Sequence, residues 1–117
     1  MEKLRVRPGY QSKELLVEFR GDSRAKDFPN VAGILAKALD AKEEKHPVLD
    51  TIKIGLATDE FISYWTYRNG SYEIDDDTWC CFILAPKNNT QVIFDIELAL
   101  LDTGLFVKEE VNFDDYL

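Results

Sequence analysis

The residues that could do chemistry in this chain are few and do not group into a catalytic pattern. His46 is the single histidine, so any Ser-His-Asp or Cys-His couple would have to use it. It follows a predicted helix, where the helix dipole stabilises a cation, and this capping role is the better interpretation. No GxGxxG or GxxxxGK[ST] loop is present to hold a phosphate. We therefore predict a protein without catalytic activity.

Three consecutive aspartates, Asp75, Asp76 and Asp77, form the densest acidic cluster. Calcium loops space their carboxylates at alternate positions around a central glycine, which this run does not do. On a strand, Asp75 and Asp77 would share one face and could hold a hard cation weakly. A polar turn before Trp79 is the commoner structure for such a run, and an acidic contact patch is a third interpretation. We predict no metal site and no cofactor.

Two adjacent cysteines, Cys80 and Cys81, complete the set of reactive side chains. Neighbouring residues on a strand point to opposite faces, so a disulfide between them would be strained. Free cysteine is commonly a small buried residue, and we predict that role here.

Charge limits the class of partner. The 117 residues include 22 acidic and 14 basic side chains, for a net charge of −8. Phosphate backbones would be repelled, so we predict no nucleic-acid binding. A basic protein partner fits this charge, and so does the simpler explanation that an acidic surface keeps the protein in solution. The first residues carry charges where a signal peptide needs an apolar stretch, and no apolar run is long enough to span a bilayer. We predict a cytoplasmic protein without membrane contact.

The strongest structural signal is Asn69-Gly70 between two alternating aromatic runs, which predicts a β-hairpin over Phe61–Ile74. A two-residue turn at Asn69-Gly70 would pair Tyr67 with Tyr72 and Trp65 with Ile74. One face of the hairpin would then hold these four side chains and enter the core. The other face would hold Thr66, Arg68, Ser71 and Glu73 and would be wet.

Hydrophobic spacing predicts the remaining elements. The predicted strands are Leu4–Arg7, Glu14–Arg20, Thr51–Ala57, Thr78–Ala85 and Leu105–Val111. A helix is predicted over Asp27–Lys45, capped by Asp27 and ended by His46-Pro47. Residues 91–103 alternate as a strand would, but Asn89 as a cap, Gly104 as a stop and the segment's length favour a helix.

These elements give the order β-β-α-β-β-β-β-α-β. We predict an α+β fold, with an antiparallel sheet and two helices packed on it, in a single domain over residues 1–117.

Two functions fit these features. The first is a small acidic binding module for a basic protein; inhibitor- or immunity-type proteins are analogous in charge and size. Its predicted contact residues are Tyr64, Thr66, Arg68, Glu73, Asp75, Asp76 and Asp77. The second is a small-molecule or enzymatic pocket between the helices and the sheet, lined by Trp65, Tyr67 and Trp79. Both are compatible with a homodimer.

Overall fold

The computed structural model describes residues 2–9, 13–20, 28–44, 61–76 and 81–112. Within these ranges, seven strands form one sheet and two helices pack on it, which confirms the α+β class. The helices are α1 (Val31–Leu39) and α2 (Asn89–Leu101). The strands are β1 (Glu2–Pro8), β2 (Leu15–Arg20), β3 (Lys42–Glu44), β4 (Phe61–Tyr67), β5 (Gly70–Asp76), β6 (Cys81–Leu84) and β7 (Phe106–Lys108). The predicted strand Thr51–Ala57 lies outside the described residues.

The strands are arranged in the order β3-β4-β5-β6-β2-β1-β7. Five neighbouring pairs are antiparallel, and β1 and β7 are parallel, so the prediction of a purely antiparallel sheet was wrong at this edge. The reason is the crossover: helix α2 separates β6 from β7 and delivers β7 beside β1 in the same direction. The predicted strands Leu4–Arg7 and Glu14–Arg20 are confirmed as β1 and β2, which pair with each other, and the predicted strand Leu105–Val111 is confirmed as the shorter edge strand β7.

The aromatic hairpin is confirmed, but its register was wrong. Gly70 pairs with Tyr67 and Tyr72 pairs with Trp65, so the turn residues are Arg68 and Asn69. Both have negative φ, which excludes the mirror-image turn that the Asn-Gly pair usually forms. Gly70 lies instead at the first position of β5, where only a residue without a side chain fits, because a Cβ there would lie 2.9 Å from Cγ2 of Val92 in α2. The close approach of the helix therefore determines where the hairpin turns.

The first helix is shorter than predicted. It runs from Val31 to Leu39 rather than from Asp27 to Lys45, and the side chain of Asn30 accepts a hydrogen bond from the amide of Gly33 at its start. It ends at Asp40, which has a φ of 54° in the left-handed region and so turns the chain out of the helix. The next residues form the short strand β3 against β4, which places Glu43 and Glu44 in the sheet. The predicted ends of the helix, Asp27 and His46, lie outside the described residues.

The predicted helix over residues 91–103 is confirmed as α2. Its N-cap is Asn88 rather than Asn89, and the side chain of Asn89 bonds to the strands instead. Both helices pack on the same face of the sheet, which we call the inner face. The core between them contains Leu4, Val17, Phe19, Leu35, Tyr72, Ile74, Cys81, Ile83, Val92, Ile96, Leu100 and Phe106. Cys81 is buried there as predicted.

Neither described helix is long and apolar enough to cross a membrane.

Candidate functional site

The face of the sheet opposite the helices, which we call the outer face, carries a row of directly paired side chains across six strands. Paired residues in neighbouring antiparallel strands point to the same side, so the row is continuous. From β3 to β1 it consists of Glu44, Tyr64, Glu73, Leu84, Leu16 and Arg7. The row is thus acidic and aromatic at one end, apolar in the middle and basic at the other end.

A concavity of about 640 Å³ lies over the acidic and apolar parts of this row. We call it the outer concavity. The described residues that line it are Gly9, Glu14, Leu15, Leu16, Glu44, Tyr64, Trp65, Thr66, Ser71, Tyr72, Glu73, Leu84, Ala85 and Pro86. Three of them are glutamates and none is basic. The concavity therefore combines an apolar floor with three carboxylates.

Two hydroxyl groups hold two of these carboxylates in place. The phenol of Tyr64 is hydrogen-bonded to Glu73, and this bond, together with burial and the charges of Glu73 and Asp75, raises the pKa of Tyr64 to about 12. Thr66 Oγ1 donates to Glu44 Oε1 at 3.2 Å. Within the described part of the chain, neither glutamate forms an ion pair. Each carboxylate keeps lone pairs that could accept further donors.

The basic end of the outer face is already neutralised. Glu18 forms ion pairs with Arg7, at 2.6 Å, and with Arg5, at 3.7 Å. Arg5 also pairs with Glu109, and the guanidinium of Arg7 lies 5.6 Å from the ring centre of Phe82. Because Arg5 and Arg7 are paired with these acidic residues, the two arginines do not neutralise the carboxylates of the outer concavity.

The structure brings together only some of the predicted contact residues. Tyr64, Thr66 and Glu73 line the outer concavity. Asp75 is on the same face, one pair further along β5, opposite Ile62. Arg68 is exposed at the hairpin turn, and Asp76 alternates onto the inner face. Asp77 lies outside the described residues.

Sequence reasoning missed Glu44, Leu16 and Leu84. Glu44 falls within the predicted helix Asp27–Lys45, so the sequence pattern does not indicate its place in the sheet. Leu16 and Leu84 belong to strands that are distant along the chain and become neighbours only through the strand order. Leu16 and Val17 are consecutive in β2, so alternation predicts that their side chains lie on opposite faces of the sheet. This is the one local indication that Leu16 lies on the outer face.

A second concavity, of about 550 Å³, lies between the hairpin turn and the two helices. We call it the tip concavity. Its lining includes Asp95, whose carboxylate accepts hydrogen bonds from Tyr67 at 2.6 Å, Asn69 at 2.9 Å and Gln91 at 2.8 Å. Partial burial by itself would raise the pKa of Asp95, but these bonds and the charge of Arg68 outweigh it and lower the pKa below its ordinary value. This carboxylate fastens the hairpin turn to α2.

The pocket predicted from Trp65, Tyr67 and Trp79 is not formed by its described members together. Trp65 lines the outer concavity and Tyr67 lines the tip concavity. Trp79 lies outside the described residues.

Among the residues that the structure describes, no group of three or more His, Cys, Asp or Glu side chains is arranged to hold a metal ion. Comparison of the chain with protein-family models, with curated proteins and with solved structures found no match to any of them.

Proposed function

We propose that this protein is a non-catalytic binding module that holds a basic segment of a partner protein in its outer concavity. The observation that carries the proposal is the composition of the described lining, which has three glutamates, no basic side chain and an apolar floor. A basic side chain with a long apolar stem matches such a surface, because its methylenes cover apolar residues while its charge meets the carboxylates.

Long-range electrostatics support the same class of partner. A net charge of −8 attracts a basic protein and accelerates the encounter. Within the paired row, Arg7 is balanced by Glu18, whereas Glu44 and Glu73 form no ion pair with a described residue. A module of this kind would act as an inhibitor whenever the segment it covers is the partner's own basic site. The proposal therefore includes an inhibitor- or immunity-type role, in which the protein blocks the basic site of its partner.

The test compares two double variants that lose the same charge in different places. Glu44→Gln with Glu73→Gln removes the carboxylates that accept the hydroxyls of Thr66 and Tyr64. Glu43→Gln with Glu110→Gln removes two exposed carboxylates that do not line the outer concavity. Each protein is immobilised and exposed to a lysate of the source cell, and the retained proteins are identified.

We expect a partner of high isoelectric point that the wild type and the Glu43/Glu110 variant retain and the Glu44/Glu73 variant loses. Rising salt, from about 0.05 to 0.5 M, should release it, because exposed charges are screened over that range. Equal retention by the two double variants, or retention that salt does not change, would contradict the proposal.

A small-molecule site in the tip concavity is the second candidate, and its position between helices and sheet favours it. Its volume of about 550 Å³ falls in the range of ligand pockets, and its lining joins Leu39 and Leu98 to the carboxylate of Asp95. Saturable shifts of the Asn69 and Asp95 amide resonances on addition of a metabolite mixture would support it. If no shift appears there while the outer concavity binds a basic protein, this candidate fails.

A further inference from the structure

We infer that the outer concavity seats an arginine side chain of the partner, with the guanidinium stacked on Tyr64 between Glu44 and Glu73. This inference rests on the proposed function and adds to it the chemical identity of the anchoring group. The occupant is therefore a protein segment that presents an arginine, rather than a basic surface in general.

The order of residues in the paired row places a carboxylate on each side of an aromatic ring. Glu44 and Glu73 are the direct neighbours of Tyr64 on its two sides, in β3 and β5. Adjacent strands lie about 4.8 Å apart, so the two carboxylates start from backbone positions about 10 Å apart with the phenol ring between them. A planar cation above the ring can therefore reach both carboxylates from one position.

Hydrogen bonds from two hydroxyl groups restrain these two carboxylates. Glu44 accepts from Thr66 and Glu73 is bonded to Tyr64, so each carboxylate is restrained before any ligand arrives. Restrained acceptors lose less conformational freedom on binding than freely rotating surface glutamates do. The lone pairs that remain suit a donor with several N–H groups in fixed directions.

Guanidinium meets these requirements better than ammonium. It is planar and weakly hydrated, it stacks on aromatic rings, and it offers five donors in a fork that matches carboxylates. An ammonium ion is compact and strongly hydrated, and it would give up more hydration to sit on an apolar surface. Cations also interact with the face of a tyrosine ring within about 6 Å of its centre.

The apolar middle of the row provides for the stem of the side chain. Leu84 follows Glu73 in the row and Leu16 follows Leu84, and both line the outer concavity. The row then reaches Arg7, whose charge is balanced by Glu18, so the carboxylates of the row that attract a cation are Glu44 and Glu73 at its other end. An arginine is thus directed with its charge toward Tyr64 and its methylenes toward the leucines.

The experiment titrates three synthetic peptides into the isotopically labelled full chain and follows its backbone amide resonances. The peptides are acetyl-Leu-Arg-amide, acetyl-Leu-Lys-amide and acetyl-Leu-citrulline-amide, where citrulline keeps the shape of arginine without its charge. We expect saturable shifts at Tyr64, Glu73 and Leu84 for the arginine peptide. Its affinity should exceed that of the lysine peptide by about threefold or more and that of the citrulline peptide by about tenfold or more.

Three variants test the seat itself. Glu44→Gln and Glu73→Gln should each weaken the arginine peptide by about three- to tenfold, and Tyr64→Leu should remove the preference for arginine over lysine. Glu43→Gln, which changes the adjacent residue on the inner side of β3, should leave the affinity unchanged. The two glutamine variants keep the size of the side chain, so they decide the matter even if Tyr64→Leu does not fold.

The outcomes separate the inference from the proposed function. Equal affinities for arginine and lysine, both lost in Glu44→Gln, would overturn the arginine seat and leave a basic partner in place. Equal affinities for all three peptides, shifts confined to other parts of the sheet, or equal effects of Glu43→Gln and Glu44→Gln would overturn both.

Discussion

The substitution Asn89→Ala tests how the rim of the outer concavity is held. The side chain of Asn89 lies at the first position of α2 and bonds to two strands of the sheet. Its Oδ1 accepts from the amide of Leu15 at 2.7 Å, and its Nδ2 donates to the carbonyls of Leu15 and Ala85, each at 2.8 Å. Leu15 and Ala85 both line the concavity, so one amide fixes two backbone positions of the candidate site.

The expected cost follows from these three bonds. A hydrogen bond contributes about 1 kcal/mol net in a folded protein, which sets a loss of about 3 kcal/mol for all three. Alanine is the better helix former by about 0.5 kcal/mol, and the half-buried site lets water reach part of the exposed backbone. We therefore expect Asn89→Ala to lower the free energy of unfolding by about 2 kcal/mol.

Urea unfolding of the wild type and the variant measures this difference, with Thr90→Ala as the control. Thr90 is the next helical residue and is exposed, so its replacement changes helix propensity without touching the strands. Hydrogen exchange at the Leu15 amide gives a local reading, because this amide donates to Asn89 and should lose protection. A loss below about 0.5 kcal/mol, or unchanged exchange at Leu15, would refute the reasoning that the side chain of Asn89 closes the sheet at this end.

Three further predictions concern the hairpin and its contacts. Gly70→Ala should cost more than about 1 kcal/mol of unfolding free energy, because the new Cβ meets Val92 and the φ of 156° suits glycine; a double-mutant cycle with Val92→Ala should show coupling, and additive effects would contradict the contact. Asp95→Asn should make stability less dependent on acid pH. The lowered pKa of Asp95 adds stability that is complete above its ordinary value of 3.8 and is lost as pH falls through the lower folded value. The stabilities of wild type and variant should therefore converge as pH falls below 3.8 in urea titrations, and parallel curves would contradict this. Tyr72→Phe should be neutral or stabilising by up to about 1 kcal/mol in thermal unfolding, because its buried hydroxyl has no hydrogen-bond partner in the described structure; a clear loss would show that the hydroxyl is satisfied.

In the hairpin of β4 and β5, the sequence predicts correctly which residues share a face of the sheet, but it does not predict which residues pair across the two strands. The observed pairing of Tyr72 with Trp65, instead of Tyr67, displaces one strand by two residues relative to the other. Side chains alternate with a period of two, so this displacement leaves each residue on the face that alternation assigned to it. Trp65 and Tyr72 accordingly stack with ring centres 6.4 Å apart on the inner face. The turn position depended on the contact between Gly70 and Val92, which no local pattern records.

The end of α1 shows the opposite case. Helical spacing identified Val31 and Leu35 as its buried side, and both are in the core. The sequence after Leu39 contains residues that are acceptable in a helix, so propensity extends the prediction through Lys45. Pairing with β4 outweighs that propensity once Asp40 turns the chain, and tertiary contact decides the structure of a short polar segment. Because of this error, the predicted contact residues did not include Glu44, which pairs with Tyr64 from β3.

The strand order accounts for the rest of the candidate site. A residue pattern can describe one strand or one hairpin, and it therefore found Tyr64, Thr66 and Glu73, which belong to consecutive strands. The row on the outer face continues through β6, β2 and β1, so Leu84 of its apolar middle lies beside Leu16, which is far from it along the chain and precedes it. The separation of unpaired carboxylates from paired arginines is a property of this order. Exchanging β3 and β1 in this order, for example, would put the strand that carries Arg7 beside the strand that carries Tyr64, and it would remove the charge asymmetry on which the proposed binding of a basic segment depends.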